Sequence, residues 1–491
     1  MGYDVVVVGG GSAGCVLAAR LSEDPRRSVL LVEAGPDHPD PAMWPRDVLD
    51  ASVPTLAHDW GYTADADLDR GIALPRARIM GGCSATNACF GLRGAPQDYD
   101  AWAALGNPGW GWVDVLDDFR RLESDQDVHD RWHGTDGPIT IRRHPPEELN
   151  AVQSAFLEGA VAAGHVYVAD HNRPGAVGVG PTPRNVLAGV RMSTALTHLA
   201  PARARRNLEI LPDTPVDRLE LVDGRPRGVR TQRGDVIEAD SVILAAGAYG
   251  SPAILLRSGI GPAAQLRALG IPRVVDLPGV GADLVDHPLV AVDLPATPGR
   301  RGPALPVLLT LRSSAADPSG PPDLHLFVAG PFDTPSLPSG AVFGIVTGLM
   351  SPRSRGSVRL RSADPADPPV IDPAYLRHPA DVARMVEATL AARRISRTRP
   401  LVDLVAGPEI APGPAVGDDD ATGLAESICR RVGPYHHPVG TCAMGAVVDA
   451  GGAVHGITGV LVADASIMPT IPSANTNAST IVVAERIAGA L

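Results

Sequence analysis

The amino-acid sequence predicts an α/β protein in which a Rossmann-like nucleotide-binding domain is combined with an α+β domain built on an antiparallel sheet. Residues 3–33 contain a strand, a glycine-rich turn, a helix and a second strand in that order, which is typical of the first domain. Residues 323–372 contain short alternating runs, which indicate the antiparallel sheet of the second.

The periodicity of the chain predicts the remaining elements in turn. Residues 150–164 have helical spacing, and residues 207–246 alternate like a hairpin meander that ends in an apolar strand. The Pro- and Gly-rich stretch 292–322 is typical of a crossover between regions. Residues 379–397 predict a helix rich in Ala and Arg, and residues 459–491 predict a strand, a loop and a final helix.

Composition excludes several classes of function. The chain has 491 residues and a net charge of -12, and all 43 of its strongly basic residues are arginine. Without lysine, a Schiff-base lysine and a Walker A phosphate site are excluded. The acidic balance argues against nucleic acid and anionic membranes as main partners. We interpret the arginine bias as the signature of a GC-rich, bacterial genome.

Cysteine usage and hydropathy favour a cytoplasmic protein. The five cysteines include no CxxC pair, so we expect neither a disulfide framework nor a zinc site, and no metal. No apolar run approaches the ~18 residues of a membrane span. The chain starts directly with a strand, without the basic region or cleavage site of a signal peptide.

The first turn carries the signature of a dinucleotide site. Gly9, Gly11 and Gly14 form GxGxxG directly after a strand and at the start of a helix, where the backbone approaches a pyrophosphate closely. Glu33 ends the next strand, at the position where an acid binds a ribose hydroxyl. Because an acid disfavours a 2′-phosphate, FAD or NAD is preferred over NADP.

Five further segments resemble the glucose–methanol–choline (GMC) oxidoreductases. They are Met80–Gly94 (MGGCSATNACFGLRG), Gly247–Gly261 (GAYGSPAILLRSGIG), Pro278–Pro288 (PGVGADLVDHP), Tyr435–Gly445 (YHHPVGTCAMG) and Val462–Asn477 (VADASIMPTIPSANTN). The first two are similar to the two signatures of that family, and the last two are similar to its C-terminal active-site block. The similarity spans nearly the whole chain except about 292–430, the substrate-domain insert.

The resemblance implies FAD as the cofactor and a division of the chain into five segments. These are FAD-binding segments at 1–145 and 191–291, a substrate-domain segment at 146–190, the substrate-binding domain at 292–430, and a C-terminal active-site and FAD-binding segment at 431–491.

The resemblance also implies a mechanism for alcohol oxidation. His437 aligns with the base that takes the hydroxyl proton while hydride passes to flavin N5, and Asn475 aligns with its partner, which orients the substrate. A neutral imidazole suits the base role near pH 7. For the neighbouring His436 the resemblance implies no direct role, because the family usually has a non-titrating residue there. Joint metal ligation by the two histidines is not expected, because adjacent residues point apart on a strand. For His287 we expect a structural role in a turn.

We expect the cofactor to be bound without a covalent bond. In choline-oxidase-like members of the family, a histidine bonded to FAD stands where this chain has Thr86, which has no nucleophile for that bond. The residues expected to bind FAD are Gly9, Gly11, Ser12, Ala13, Gly14, Glu33, Ala34, Met80, Gly82, Ser84, Asn87, Val216, Ala246, Asp464 and Thr476.

Aromatic residues bear on the substrate. A quaternary ammonium normally needs an aromatic cage, and the insert is poor in aromatic side chains, which disfavours choline. The tryptophans that are candidates for a shared cavity are Trp60, Trp102, Trp110 and Trp112. The aromatic residues of the insert are Phe327, Phe332, Phe343 and Tyr375. A primary alcohol, either aryl, furanic or aliphatic, is the default substrate in a mainly apolar pocket.

Several alternatives stay open at this point. A dehydrogenase of the mycofactocin-associated type would act on a bulky redox carrier, and hydroxynitrile lyases and photodecarboxylases share the fold. The residues leave the electron acceptor, oxygen or a quinone or another acceptor, undecided. They also leave open whether the protein is a monomer or a homodimer.

Overall fold

A computed structural model describes residues 2–65 and 71–491. The strands of these residues are, in chain order, β1 (Tyr3–Val8), β2 (Val29–Val32), β3 (Glu123–Asp125), β4 (Ile139–Ile141), β5 (Val179–Pro181), β6 (Val186–Leu187), β7 (Val190–Arg191), β8 (Leu208–Leu211), β9 (Val216–Val222), β10 (Arg225–Thr231), β11 (Val236–Leu244), β12 (Ile260–Gly261), β13 (Val275–Asp276), β14 (Pro288–Ala296), β15 (Val307–Leu311), β16 (Leu324–Asp333), β17 (Ala341–Leu349), β18 (Ser357–Arg359), β19 (Val370–Asp372), β20 (Gly433–Pro434) and β21 (Val460–Val462).

Helices connect and cover these strands. The α-helices are α1 (Gly14–Leu21), α2 (Arg46–Leu49), α3 (Pro96–Ala104), α4 (Trp112–Leu122), α5 (Ala151–Ala162), α6 (Ala200–Ala202), α7 (Gly247–Arg257), α8 (Ala263–Ala268), α9 (Pro379–Ser396), α10 (Ala421–Arg431) and α11 (Thr476–Gly489). Short 3-10 turns span Pro41–Met43, Gly82–Ala85, Pro146–Glu148, Leu401–Leu404 and Ala465–Ile467, and a π-helical turn spans Ala195–Leu199.

The first sheet is the nucleotide-binding sheet. Its order is β8-β2-β1-β11-β10-β9, with β21 also paired to β11. The pairs among β8, β2, β1, β11 and β21 are parallel, and the last four residues of β1 are buried valines, as is typical of a parallel sheet covered on both faces. The strands β9, β10 and β11 form antiparallel hairpins at one side.

The register of this sheet determines where the site lies. Val8 stands opposite both Val32 and Leu244, and Leu244 stands opposite Val462. The four strands therefore end at the same edge, and the residues that follow them converge there, as the carboxyl edge of an open parallel sheet requires. The predicted cofactor residues at this edge are Gly9, Glu33, Ala246 and Asp464.

The second sheet is antiparallel, with the order β20-β14-β17-β16-β15-β5. The helices α5 and α9 pack against it and share its apolar core, which is separate from the core of the first sheet. The predicted combination of a Rossmann-like domain and an antiparallel sheet is confirmed.

Two predicted elements differ in detail. In the stretch 207–246, β8 joins the parallel part of the first sheet beside β2, and only β9 to β11 form a meander. The stretch 292–322 is not a plain crossover, because β14 continues into it and β15 lies within it. Both differences arise from pairing with strands that are distant in sequence, which a local pattern does not report. Across the described part of the chain, no helix has both the length and the apolar character needed to cross a membrane.

Candidate active site

The glycine-rich turn after β1 is shaped by close backbone contacts. Gly9 has a φ of 103°, and a Cβ there would lie 2.6 Å from the carbonyl oxygen of Ala245. A Cβ at Gly14 would lie 1.7 Å from the carbonyl oxygen of Gly9. At Gly11, by contrast, a Cβ would meet only the Cα of Gly82 at 3.8 Å, so the backbone opens toward the site. This cradle suits the pyrophosphate of a dinucleotide at the start of α1.

Glu33 lies beside this turn with its carboxylate buried. The carboxylate accepts hydrogen bonds from the backbone N–H groups of Gly10 and Gly35, both at 2.7 Å. Burial raises the pKa of Glu33 to about 7, and these two hydrogen bonds act in the opposite direction. A carboxylate with spare acceptor capacity at this position suits the hydroxyl groups of a ribose.

A cavity of about 1390 Å³ extends from this turn to the C-terminal loop. It exceeds the roughly 300–1,000 Å³ of a usual ligand pocket and therefore has room for a dinucleotide together with a substrate. The predicted site residues that line it are Gly9, Gly11, Ser12, Ala13, Glu33, Ala34, Gly82, Asn87, Val216, Ala246, His437, Asp464, Asn475 and Thr476. Size, backbone cradle and buried acid together fit FAD.

Three predicted cofactor residues support the wall without lining the cavity. Gly14 provides the close contact described above. Met80 is buried, and its sulfur lies 3.9 Å from the sulfur of Cys15 at the start of α1. The hydroxyl of Ser84 donates to the carbonyl of Gly81 at 2.6 Å and accepts from the backbone of Thr194. The side chains of Met80 and Ser84 therefore support the glycine loops.

The C-terminal segment lines the cavity beside the first turn. Asp464 accepts from the backbone N–H of Gly247 at 2.8 Å and from the hydroxyl of Ser251 at 2.5 Å, which joins β21 to α7. The hydroxyl of Ser12 donates to the side-chain oxygen of Asn477 at 2.9 Å. The N-termini of α1 and α11 therefore lie together at the site, and their positive ends suit anionic groups of a cofactor.

His437 and Asn475 meet on the cavity wall. The side-chain nitrogen of Asn475 lies 3.0 Å from Nε2 of His437. Asn475 is the N-cap residue of α11, but its side chain makes no capping bond and is directed to the histidine. The backbone N–H of His437 donates to Asp286 at 2.7 Å, and the other carboxylate oxygen of Asp286 accepts from the hydroxyl of Tyr375.

The surroundings of His437 keep its imidazole neutral. Its side chain is buried, and burial lowers the pKa of His437 well below 6.5, with further lowering by His287, His436 and Arg76. The ring of Tyr435 lies 4.4 Å from that of His437, centroid to centroid. A neutral imidazole with a ring nitrogen at the cavity wall has the properties of a general base.

The two other histidines of the predicted site differ from expectation. His436 is not on a strand; its φ is 69°, its carbonyl accepts from Arg76 at 2.7 Å, and its side chain lines the cavity. The structural role expected for His287 is too narrow, because its Nδ1 lies 3.0 Å from Nδ1 of His437. The only signal for this contact is the presence of a histidine in the segment PGVGADLVDHP.

The aromatic residues divide between core and cavity. Trp60 lines the cavity, whereas Trp102, Trp110 and Trp112 are buried in the core near α3, α4 and α11 and do not reach it. Of the insert residues, Phe327 and Phe332 line the cavity, Phe343 lies in the core of the antiparallel sheet, and Tyr375 bonds to Asp286.

Around His437 the wall is apolar. Tyr435 and Phe327 belong to a cluster of apolar side chains that also contains Phe90, with Leu289 and Val346 packed against it, and all five line the cavity. The ring of Phe327 lies 5.7 Å from that of Tyr435 and 5.9 Å from that of Phe90. The expected mainly apolar pocket therefore has an aromatic wall.

A buried ionic cluster lies outside the cavity. Glu123, Asp125 and His133 have ligand atoms close enough to hold a metal ion. His133 contacts both carboxylates and also Asp170 at 3.0 Å, which together raise the pKa of His133 to about 11 against the effect of burial. Arg143 bonds to Asp125 and Asp170, and Arg93 bonds to Glu123. Arg143 also lies 3.7 Å from a fourth carboxylate, that of Asp127, so three basic side chains pair with four carboxylates in this ion network.

Comparison with known proteins gives one consistent family. Residues 3–289 and residues 352–484 match two family models, the N- and C-terminal parts, both described as GMC oxidoreductase.

Individual relatives match over the full length. The chain is 37% identical to a 5-(hydroxymethyl)furfural oxidase of Methylovorus sp. (strain MP688), over 100% of this chain and 98% of the relative. It is 34% identical to an oxygen-dependent choline dehydrogenase of Rhizobium meliloti (strain 1021), over 99% of this chain and 95% of the relative. The solved structure of pyridoxine 4-oxidase from Mesorbium loti matches with a TM-score of 0.90 and 34% identity, over 99% of both chains.

We predict that the affinity for FAD rises with pH around neutrality. The pKa of Glu33 is about 7, and ribose hydroxyls would bond best to its ionised form, so binding is coupled to loss of a proton. Below pH 7, the Kd of the apoprotein for FAD should rise by up to about tenfold per pH unit. Fluorescence titration of the apoprotein between pH 5.5 and 8.5 measures this.

Glu33→Gln is the matched variant. It should bind FAD more weakly at pH 8 and should lose the pH dependence between 6 and 8. A Kd of the wild type that is constant over this range would contradict the assignment of Glu33.

Proposed function

Because the chain belongs to the GMC oxidoreductase family, we propose that it oxidises a primary alcohol to an aldehyde, with His437 as the base that takes the hydroxyl proton. The enzyme is an FAD-dependent oxidoreductase that acts on alcohol groups. The observation that carries the proposal is the buried, neutral imidazole of His437, whose Nε2 faces Asn475 at the cavity wall.

In the proposed reaction the two side chains divide the work. Bound FAD supplies the two-electron oxidant that accepts hydride from the alcohol carbon. Nε2 of His437 accepts the hydroxyl proton, and the amide nitrogen of Asn475 donates to the substrate oxygen as negative charge develops on it. An amide does not titrate, so only His437 changes its charge.

The fate of the proton follows from the same surroundings. Burial and the nearby Arg76, His436 and His287 disfavour the imidazolium form of His437. After it has taken the substrate proton, His437 therefore has a strong tendency to release it, which returns the base to its neutral state. No carboxylate bonds to the ring of His437 among the described residues, so no ion pair retains the proton.

We propose an aromatic or furanic primary alcohol as the substrate. The support is the apolar wall beside the base, where Phe90, Phe327 and Tyr435 offer ring faces and edges to a planar substrate. The 5-(hydroxymethyl)furfural oxidase and the pyridoxine 4-oxidase are named for substrates that carry hydroxymethyl groups on aromatic rings. Oxygen is the proposed electron acceptor, in line with the names of these two relatives.

We expect His437→Ala to retain FAD but to lose reduction of the flavin by the alcohol. Loss of the base removes general-base catalysis, so the rate constant should fall by about 10²- to 10⁴-fold. Anaerobic stopped-flow spectroscopy with benzyl alcohol measures bleaching of the flavin absorbance. His129→Ala is the control, because this histidine is exposed and is not among the residues that line the cavity, so its rate should stay near that of the wild type. Unchanged bleaching in His437→Ala would reject the mechanism.

The cofactor should be released on denaturation. Thr86, which lines the cavity directly before Asn87, has no imidazole to form a bond to the flavin ring. After precipitation with trichloroacetic acid, FAD should therefore appear quantitatively in the supernatant. A parallel sample of free FAD mixed with serum albumin gives the recovery of unbound cofactor. A yellow pellet that keeps its flavin would overturn the non-covalent assignment.

Substrate preference should follow the apolar wall. Among benzyl alcohol, 5-(hydroxymethyl)furfural and choline, choline should be the slowest to reduce the flavin anaerobically. Phe327→Ala should weaken binding of benzyl alcohol by about tenfold, since ring contact of this kind contributes roughly 1.4 kcal/mol. Phe332→Ala is the control, because that ring is largely exposed at the cavity edge. If choline is the preferred electron donor, the proposed substrate class is contradicted. If the reduced enzyme is reoxidised by quinone but not by air, oxygen is excluded as the electron acceptor.

A further inference from the structure

A chain of hydrogen bonds connects Asn475, His437 and His287 and ends at the backbone carbonyl of Met350. Nε2 of His287 lies 3.0 Å from the carbonyl oxygen of Met350. Nδ1 of the same ring lies 3.0 Å from Nδ1 of His437, and Nε2 of His437 lies 3.0 Å from the amide nitrogen of Asn475. Both imidazoles are buried.

The carbonyl at the end of this line determines where the protons are. A carbonyl oxygen accepts but never donates, so Nε2 of His287 carries a hydrogen. Burial lowers the pKa of His287 to about 3, although the carbonyls of Met350 and Pro472 act in the opposite direction. The ring is therefore neutral, and its Nδ1 holds a lone pair. The bond between the two histidines then requires that Nδ1 of His437 donates.

We propose that His287 is a positioning residue that holds His437 in the tautomer with a hydrogen on Nδ1 and an accepting lone pair on Nε2. The lone pair then lies at the cavity wall beside Asn475, where the substrate hydroxyl must arrive. This inference rests on the proposed role of His437 as the base. It adds that a neutral imidazole, and not a carboxylate, determines which ring nitrogen of His437 is available to accept the substrate proton.

The amide nitrogen of Asn475 donates to Nε2 and so favours the same tautomer, but the other groups around His437 do not bond to Nδ1. The carboxylate of Asp286 bonds to the His437 residue, but it accepts from the backbone N–H of His437 and from the hydroxyl of Tyr375, and not from the imidazole ring. Arg76 donates to the carbonyl of His436. His325, Arg76 and His436 act on His437 only through charge, which disfavours its protonated form. Among the described residues, His287 alone bonds to Nδ1 of the base.

The test compares two substitutions of His287 in the FAD-loaded enzyme. His287→Leu fills most of the space but offers no acceptor. In His287→Asn, the side-chain oxygen reaches the position of the original Nδ1 and accepts from His437. We expect His287→Leu to slow anaerobic flavin reduction by saturating benzyl alcohol by about 100-fold or more, with little change in the apparent Kd. His287→Asn should recover most of the rate.

A purely structural role for His287 predicts a different pattern. Both variants would then be slowed alike, or both would react like the wild type, and either result would overturn the proposal. FAD content and the circular dichroism spectrum show whether each variant is folded.

A measurement on the wild type does not depend on the folding of these variants. The enzyme is produced with ¹⁵N-labelled histidine, and the His437 signals are assigned by comparison with His437→Gln. The proposal requires the Nδ1–H tautomer of a neutral ring at pH 7. An Nε2–H tautomer, or a charged ring, would overturn it.

The variant His437→Ala separates this inference from the proposed function. If His437→Ala reduces its flavin at the wild-type rate, the proposed function fails and this inference fails with it. If His437→Ala is slow while His287→Leu is as fast as the wild type, only the role of His287 is rejected.

Discussion

The pairing of residues 285–289 with residues 433–439 is the constraint on which the site depends. Three backbone hydrogen bonds of 2.9–3.1 Å join the two segments on both sides of His436, and β14 and β20 extend the pairing. The left-handed backbone of His436 interrupts the regular alternation between them. This places the His437 ring against His287. A shift of one residue in this pairing would move the His437 ring away from His287, so the register determines the contact between the two rings.

Two buried histidines show how neighbours set opposite charge states. His133 lies among Glu123, Asp125 and Asp170, and these carboxylates raise its pKa to about 11. His437 lies among other imidazoles, and burial lowers its pKa well below 6.5. The first is a permanent cation in an ion network, whereas the second is a neutral acceptor. Burial disfavours the charged form in both, and only a bonded carboxylate reverses its effect.

A feature of the fold or site could be predicted from the sequence when the residues that form it lie close together along the chain. The positions of Gly9 and Glu33 at the ends of β1 and β2 were predictable, because strand, turn, helix and strand follow one another within about thirty residues. His437 required the family resemblance, since its surroundings come from distant segments. The contact with His287 spans 150 residues and leaves no local pattern. The burial of Trp102 was missed for the same reason, because tertiary packing decides whether a tryptophan faces a core or a cavity.

The two sheets contribute to the cavity in different ways. At the edge of the parallel sheet, the cradle is made of backbone groups at a helix N-terminus, so it needs no lysine to hold a pyrophosphate. Two buried acids, Glu33 and Asp464, accept from backbone N–H groups beside it. The antiparallel sheet contributes side chains such as Phe327 to the apolar wall. Backbone groups remain the same when most side chains change, whereas an apolar wall is altered by a single substitution. This architecture therefore allows the substrate to change while the cofactor site and the pair of His437 and His287 stay intact.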